Sequence, residues 1–290
     1  MLTFHNTPQS LKKVLPGLFE RDKLFVYYPV KFEIEGRFPT TKALLHSGTT
    51  DDCTYYFLNH KHTYTKDQHM MLFDGDFNGD DFTLFFHEYC KKYDFYKNMP
   101  CTLADERLTP LILEHFDAQN VKYNVEKFPF YFFYMTDEMI ENMRHEKLPI
   151  LPEGFRYDSV NAKEDAELMF KYWEWAEEGG LEYIRETLRR FPSVCIRKGR
   201  EIVAFAAIED YASVGRYFVF EEYRNRGFGA AIEKAIVSLA IRDGIVPNKW
   251  VETTNDLGIS LTKKNSLFDH LKKPDGDPRL LDFLIFTPAS

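Results

Sequence analysis

The C-terminal half of the chain shows the clearest pattern of apolar and polar positions. Short apolar runs of strand length alternate with longer stretches in which apolar residues recur every three or four positions, the spacing of a helix. In order, they predict a strand, two helices, a three-strand meander, a helix, a strand, a helix and a last strand. The predicted segments are 155–160, 163–175, 181–191, 193–197, 202–208, 215–220, a helix ending at Arg242, 250–254, 256–264 and 281–286.

The N-terminal half also alternates strand-like and helix-like segments, which favours an α/β unit. Predicted helices cover 1–22, 81–90, 102–115 and 138–144, and predicted strands cover 24–30, 53–58, 70–73 and 121–135. Segment 148–152, Leu-Pro-Ile-Leu-Pro, has the composition of a linker because proline interrupts regular structure. We therefore predict two domains, 1–147 and 153–290.

Composition narrows the class of protein. A length of 290 residues suits one large or two ordinary domains, and 44% hydrophobic with 28% charged residues indicates a globular chain. The net charge of −8, without a block of lysine or arginine, argues against a nucleic-acid partner. The longest aromatic and apolar run, 128–135, is too short to span a bilayer.

Cysteine usage bears on the compartment. The four cysteines, at positions 53, 90, 101 and 195, are far apart and form no Cys-x-x-Cys motif, which predicts free thiols in a reducing environment. The N-terminal residues show no secretory signal. We expect an intracellular protein, cytoplasmic or mitochondrial, and a monomer.

A glycine-containing turn precedes the long helix of the C-terminal half. It reads Arg224-x-Arg226-Gly227-x-Gly229. The first N–H groups of a helix have no partner within the helix and lie at the positive end of its dipole. Glycine lets a bulky anion approach the backbone because it has no Cβ. The turn therefore predicts a diphosphate-binding site.

Other glycine motifs fit this turn less well. The dinucleotide fingerprint requires Gly-x-Gly-x-x-Gly and an acidic residue about 20 positions later. The phosphate-binding loop requires Gly-Lys-Ser/Thr, which does not occur in the sequence. The glycines could also serve only close packing of a strand on a helix.

The turn resembles the acetyl-coenzyme A signature Arg-x-x-Gly-x-Gly of the GCN5-related N-acyltransferases, and the predicted element order resembles their fold. Within that superfamily, the chain resembles the glycine N-acyltransferase family, including its nematode-type members. The resemblance lies in Lys171-Tyr-Trp-Glu-Trp175, Phe191-Pro-Ser-Val-Cys195, Glu222-Tyr-Arg224 with Gly227, and Val251-Glu-Thr-Thr-Asn255, and more weakly in 11–16 and 63–67.

This resemblance implies an α/β (α+β) fold class, with tandem acyltransferase-like domains, a mixed central sheet with splayed strands and a degenerate N-terminal copy. In such a fold the pantetheine of the cofactor lies between two splayed parallel strands, where segment 215–220 would offer unpaired backbone groups. The residues that it implies for cofactor binding are Phe218, Val219, Phe220, Arg224, Arg226, Gly227, Phe228, Gly229, Ala230 and Asn255.

The resemblance also implies transfer of an acyl group from acyl-CoA, bound as a substrate, to the amino group of glycine or of another small amine or amino acid. This chemistry needs a base for the amine, an N–H group that polarises the thioester oxygen, and a proton for the leaving thiolate. Two alternatives stay open: a family member that binds acyl-CoA without turnover, and an acyltransferase for a protein N-terminus or another amine.

The sequence departs from the family at the base. The position of the family's glutamate, counted back from Arg224, is Val214, which cannot take a proton. The nearest carboxylates are Asp210, with Glu209 behind it, and Ser213 is adjacent to Val214. We therefore name Asp210 and Ser213 as catalytic candidates.

Three further residues are candidates for the site. Thr262 stands where related enzymes place a hydroxyl group that protonates the thiolate. Trp173 and Trp175 lie on a predicted helix, and one of them could wall the acyl or acceptor pocket.

Two patterns that suggest metal ions have simpler interpretations. Segment 74–79 has the spacing of a calcium loop, but Phe85 stands at the twelfth position, so we read a turn with Asp80 or Asp81 capping the next helix. His60, His62 and His69 lack the spacing of a metal site, and we read them as surface histidines near a strand end. We expect no metal.

Overall fold

The computed structural model describes residues 1–289. These residues divide into two compact units: unit 1 comprises Met1–Tyr131 and the segment from Leu271 onward, and unit 2 comprises Phe132–His270. The units differ from the predicted domains, 1–147 and 153–290, because the predicted linker lies within unit 2 and the last strand belongs to unit 1.

Unit 1 contains one mixed sheet. Its strands are β1 (Thr3–His5), β2 (Thr41–Thr49), β3 (Cys53–His62), β4 (Gln68–Gly75), β5 (Cys101–Asp105), β6 (Tyr123–Tyr134) and the last strand of the chain, β13 (Leu280–Pro288). Its helices are α1 (Pro8–Val14), α2 (Leu24–Glu35), α3 (Gly79–Tyr93), α4 (Phe95–Asn98) and α5 (Thr109–Ala118). The strand order is β1-β2-β3-β4-β5-β13-β6, and β4 and β5 are parallel whereas the other neighbours are antiparallel.

Unit 2 begins within β6. Its further strands are β7 (Phe155–Asp158), β8 (Ser193–Lys198), β9 (Glu201–Ile208), β10 (Val214–Val219), β11 (Asn248–Glu252) and β12 (Asp269–His270). The first four of these form an antiparallel sheet of order β10-β9-β8-β7. Its helices are α6 (Asp137–His145), α7 (Ala166–Lys171), α8 (Gly180–Arg190), α9 (Phe228–Arg242) and α10 (Asp256–Asn265). The end of β6 pairs with β12 and neighbours β11.

The same element order occurs twice along the chain. Apart from α4 in the first copy and β12 in the second, each copy has a strand, two helices, a three-strand meander, a helix, a strand, a helix and a further strand. The last strand of the second copy, β13, inserts between β5 and β6, where Phe283 is opposite both Leu103 and Phe128. β13 belongs to unit 1 because it makes its hydrogen bonds with strands of that unit.

The prediction that segment 24–30 is a strand is wrong, because these residues begin α2. Leu24, Val26 and Phe32 are among the helix residues that are almost fully buried. A helix that is buried on nearly all sides has no polar face, so the 3.6-residue period disappears from its sequence. Pro29 lies inside this helix.

Three helix predictions also need correction. Segment 1–22 contains β1, α1 and short 3-10 turns rather than one helix. Segment 102–115 divides into β5 and α5, and Pro110 belongs to the first turn of α5, where proline is tolerated. The helix predicted over 163–175 ends at Lys171, so Trp173 and Trp175 follow it in a turn.

The structure bears on the state of the cysteines and on the question of a membrane-spanning helix. The four cysteines are free, and Cys53, Cys90 and Cys195 are buried, which confirms the prediction of free thiols. Among residues 1–289, no helix combines the length and the apolar character needed to cross a membrane.

The interpretation of the three histidines as surface residues is wrong for two of them. His60 and His69 are 1% and 4% exposed. His69 pairs across the sheet with Asn59, the neighbour of His60, so His69 and His60 lie on opposite faces of the sheet. His69 Nδ1 is hydrogen-bonded to the hydroxyl of Tyr89 at 2.6 Å, and burial lowers the pKa of His69 to about 3.

We predict that unit 1 loses stability in acid partly through His69. The unfolded chain takes up a proton near pH 6.5, whereas the folded imidazole stays neutral until about pH 3, so stability falls as the pH falls through this window. Within this window, each such group changes the free energy of unfolding by about 1.4 kcal/mol per pH unit. His69→Gln should reduce the slope of unfolding free energy against pH by about this amount, measured by urea unfolding. The exposed His145→Gln is the control, and an unchanged slope in His69→Gln would contradict the assignment.

Candidate active site

Strands β10 and β11 of unit 2 are neighbours only where they begin. Ser213, just before β10, forms a parallel bridge with Asn248, whose Nδ2 donates to the carbonyl of Ala212 at 3.1 Å. One edge of β10 pairs with β9, and within residues 1–289 no β-ladder joins its other edge to β11. This confirms the predicted splayed strands. The outer edge of β10 therefore keeps backbone groups that can pair with a ligand.

The N-terminus of α9 lies just beyond the end of β10. Its N-cap is Gly227, with φ +81°, and in the described part of the chain no side chain caps the turn and no acidic residue occupies the first turn. An ideal Cβ on Gly227 would meet nothing within 4 Å. Glycine is therefore required here by the left-handed backbone rather than by a close neighbour. Free N–H groups at the positive end of a helix are able to bind an anion.

Gly229 has a different reason to lack a side chain. An ideal Cβ at this position would lie 2.9 Å from the hydroxyl oxygen of Tyr217 on β10. Burial, together with the charge of Glu233, raises the pKa of Tyr217. Glu233 accepts from the ammonium group of Lys249 and from Asn265, which links α9 to β11 and to the end of α10. These contacts fix the first turns of α9 beside the gap.

Two arginines flank the turn before α9. Arg224 and Arg226 are exposed, Arg224 Nε donates to the carbonyl of Val219 at 3.1 Å, and the Arg226 guanidinium lies 5.7 Å from the ring centre of Tyr223. Both add positive charge where the helix dipole is also positive.

Three further predicted cofactor residues, Phe228, Ala230 and Asn255, lie at the N-termini of α9 and α10. Phe228 is 1% exposed and packs on Phe155 at 4.7 Å between ring centres, so only its backbone can reach a ligand. Ala230 is partly buried in the first turn of α9. Asn255 caps α10, because its Oδ1 accepts from the N–H of Gly258 at 2.8 Å.

An aromatic patch covers the end of β10. It consists of Tyr172, Phe205, Phe218 and Phe220, with Tyr172 lying 4.7 Å from Phe218 and 5.1 Å from Phe220 between ring centres. Tyr172 is 40% exposed. The structure therefore places Tyr172 beside the predicted cofactor residues, a contact that the sequence reading missed.

The two predicted pocket tryptophans have different surroundings. Trp173 stacks on Tyr183, with 6.1 Å between ring centres, and covers the guanidinium of Arg216 at 4.0 Å. Trp175 is 41% exposed. Trp173 is thus half-buried against the polar cluster, and Trp175 is the more exposed of the pair.

A buried cluster of polar groups lies at the start of β10, formed by Tyr183, Glu209, Asp210 and Arg216. The Tyr183 hydroxyl lies 2.9 Å from Glu209 Oε2 and 2.8 Å from Asp210 Oδ1, and Arg216 Nε lies 3.2 Å from Glu209 Oε1. Burial raises the pKa of Glu209, opposed by Arg216 and Tyr183. Because the hydroxyl has one hydrogen, it can donate to only one of the two carboxyl groups at a time.

Asp210 and Ser213, the catalytic candidates, are both buried, at 1% and 4% exposure. The turn between them is held by the N–H of Glu209, which donates to the carbonyl of Ser213 at 2.9 Å. Val214 follows as the first residue of β10 and pairs with Ile208. Asp210 therefore lies close in sequence and space to the position where the family's glutamate was expected.

Thr262 does not fit the role of proton donor. It is 1% exposed, and its hydroxyl donates to the carbonyl of Gly258 at 2.7 Å, one helical turn earlier. The single hydrogen is already donated, so we leave Thr262 out of the proposed chemistry. Sequence reasoning missed Tyr183 and Arg216. Folding brings Tyr183 to Asp210 and Arg216 to Glu209, although Gly215 next to Arg216 could have signalled a strand irregularity.

Unit 1 has the same element order but not the same site. Strands β4 and β5 are paired from Gln68 to Met71, so the gap is closed. The N-terminus of α3 is capped by Asn78, whose side chain accepts from the N–H groups of Asp80 and Asp81. The N-cap residue of α3, predicted to be Asp80 or Asp81, is therefore Asn78. Two acidic residues in the first turn also repel an anion.

Comparison with known proteins identifies the fold. No protein-family model matches the sequence, and no curated protein matches it. A solved structure of a Drosophila melanogaster protein superposes with a TM-score of 0.77 at 14% identity, covering 98% of both chains. A GCN5-related N-acetyltransferase from Kribbella flavida gives 0.54 at 14% identity, covering 90% of this chain and 94% of its own.

A tandem GNAT protein from the clavulanic acid biosynthesis pathway gives a TM-score of 0.53 at 11% identity and covers 100% of both chains. Identities at this level show the fold alone. They confirm the predicted α/β fold class, and the more specific resemblance to glycine N-acyltransferases stays a prediction. The chain therefore has the tandem fold of the GCN5-related N-acetyltransferases, with the open strand gap and the uncapped helix in unit 2.

Proposed function

We propose that this protein transfers an acyl group from acyl-CoA to the amino group of a small amine or amino acid, of which glycine is the first candidate. One observation carries the proposal: among residues 1–289, an uncapped helix N-terminus follows, after a short turn, a strand whose outer edge is unpaired. The same elements in unit 1 are closed and capped. The descriptions of two structural neighbours, an N-acetyltransferase and a tandem GNAT protein, support this direction.

The geometry suits the parts of coenzyme A. The diphosphate would accept hydrogen bonds from the first N–H groups of α9, with the charges of Arg224 and Arg226 nearby. The pantetheine amides would pair with the outer edge of β10, as an added strand does. A backbone N–H of β10 would then polarise the thioester oxygen as the amine attacks.

The fate of the amine's proton depends on the buried cluster. We propose that Asp210, which shares the hydroxyl of Tyr183 with Glu209, accepts this proton through water or through that hydroxyl. Val214, at the place of the expected glutamate, instead favours an acyl-CoA-binding protein without turnover as the second candidate function. A protein N-terminus is the alternative acceptor.

The wild-type protein separates these possibilities. Calorimetry with coenzyme A measures binding, and release of free thiol from a panel of acyl-CoAs with glycine, other amino acids and a peptide N-terminus measures turnover. Turnover with amino acids supports the proposal, binding alone supports the second candidate, and no binding refutes both.

We predict that Gly227→Val weakens coenzyme A binding by at least about tenfold while the protein stays folded. A β-branched residue is strained at φ +81° and turns the helix N–H groups away from the diphosphate. Calorimetry gives the affinity.

Gly199→Val is the matched control for this change. Gly199 has φ +62° and an equally open Cβ position, but it lies in the turn between β8 and β9. It should lose comparable stability and keep its affinity for coenzyme A. Equal affinities in Gly227→Val and wild type would remove the helix end from the site.

We predict that Asp210→Asn lowers kcat by roughly 10²–10⁴-fold, the usual contribution of a general base, with little change in coenzyme A affinity. Asp165→Asn is the control, because Asp165 is also buried in unit 2 and ion-paired, to Arg197, away from this cluster. A kcat within threefold of wild type would show that Asp210 only holds the turn before β10.

A further inference from the structure

Strand β10 contains a bulge next to the gap. Gly215 is opposite Ala207 and Phe218 is opposite Phe205, so two residues of β10, Arg216 and Tyr217, face a single residue of β9. Arg216 has φ +46°, in the left-handed region that such bulges usually fill with glycine. A non-glycine residue at this angle is strained and persists only where its surroundings hold it.

The surroundings of Arg216 provide this hold. Its side chain is 4% exposed and ion-paired to Glu209, with Nε 3.2 Å from Oε1 and Nη2 3.3 Å from Oε2. The ring of Trp173 covers the guanidinium at 4.0 Å. An ideal Cβ on Gly215 would lie 2.5 Å from Glu209 Oε1, so the carboxylate occupies the space that a side chain there would need.

The bulge decides which side chains face each side of the sheet. Ala207 and Phe205 are two residues apart on β9 and share a face, so their partners Gly215 and Phe218 share it too. Without the extra residue, Tyr217 would be opposite Phe205. The bulge therefore places Phe218 in the aromatic patch and sends the Tyr217 hydroxyl towards Gly229 of α9.

The geometry points to Arg216 as a positioning residue of the acyl-transfer site: its ion pair with Glu209 holds the bulge that aims the outer-edge amides of β10 at the thioester. This inference rests on the proposed function. Arg216 does not touch the substrate in this role. Its effect passes through the backbone of β10, so it should change kcat far more than the affinity for coenzyme A, which depends on α9.

The test compares Arg216→Ala with Arg216→Lys and Glu209→Gln. We expect Arg216→Ala to lower kcat for thiol release by roughly 10- to 100-fold, with coenzyme A affinity within threefold. This is less than the roughly 10²–10³-fold cost of removing an oxyanion donor, because the amide is displaced rather than lost. Arg216→Lys keeps the charge opposite Glu209 and should recover part of the loss. Glu209→Gln should resemble Arg216→Ala, and the double variant should lose no more than either single one. Arg185→Ala is the control, because Arg185 of α8 pairs with Glu182 of the same helix and with Glu167 of α7, not with Glu209.

A second measurement separates this inference from the proposed function. Hydrogen exchange of the β10 amides, 214–219, should accelerate in Arg216→Ala relative to those of β8, whether or not the wild type turns over. Absence of thiol release by the wild type would refute the proposed function and leave the exchange result to decide on the bulge. Unchanged exchange, or a kcat within threefold of an active wild type, would overturn the role of Arg216, and thermal unfolding verifies that each variant is folded.

Discussion

The site depends on one edge of one strand being left without a partner. β10 and β11 are joined at Ser213 and Asn248 and then separate, so a row of backbone groups faces a gap instead of a neighbouring strand. An exposed strand edge is costly unless something pairs with it or the chain blunts it. Here the buried ion pair of Glu233 and Lys249 links α9 to β11, which keeps the end of the gap and the helix N-terminus in place.

The two copies of the fold show how few changes close such a site. In unit 1, a short parallel ladder between β4 and β5 satisfies the backbone, and Asn78 satisfies the first N–H groups of α3. In unit 2, Gly227 supplies the turn without supplying a cap. Helix ends attract anions only while their N–H groups are free and no carboxylate stands beside them. The copies therefore differ in which backbone groups are hydrogen-bonded and in the charges beside the helix end, and not in topology.

The buried cluster next to the gap carries two energetic costs, the desolvation of its charged groups and the backbone strain at Arg216. Placing Glu209, Asp210 and Arg216 in the interior costs desolvation energy, which their mutual contacts and the hydroxyl of Tyr183 offset. The same contacts hold Arg216 at an angle that the backbone resists. Proteins commonly concentrate such strain near functional sites, where the surroundings determine a conformation that the local sequence would not adopt.

The sequence by itself determined the order of elements in the second copy of the fold and the glycine turn before α9, because these depend on local periodicity and on the conformational freedom of glycine. The tandem arrangement was expected only from the resemblance to the GCN5-related N-acyltransferases. It did not determine α2, whose residues are buried on nearly all sides and so carry no period, or the place of β13, whose partners are far away in the chain. Only the tertiary structure brought Tyr183 and Arg216 to Glu209 and Asp210, and only it committed the hydroxyl of Thr262 to a backbone carbonyl. Contacts between distant residues leave no local pattern, so folding alone decides them.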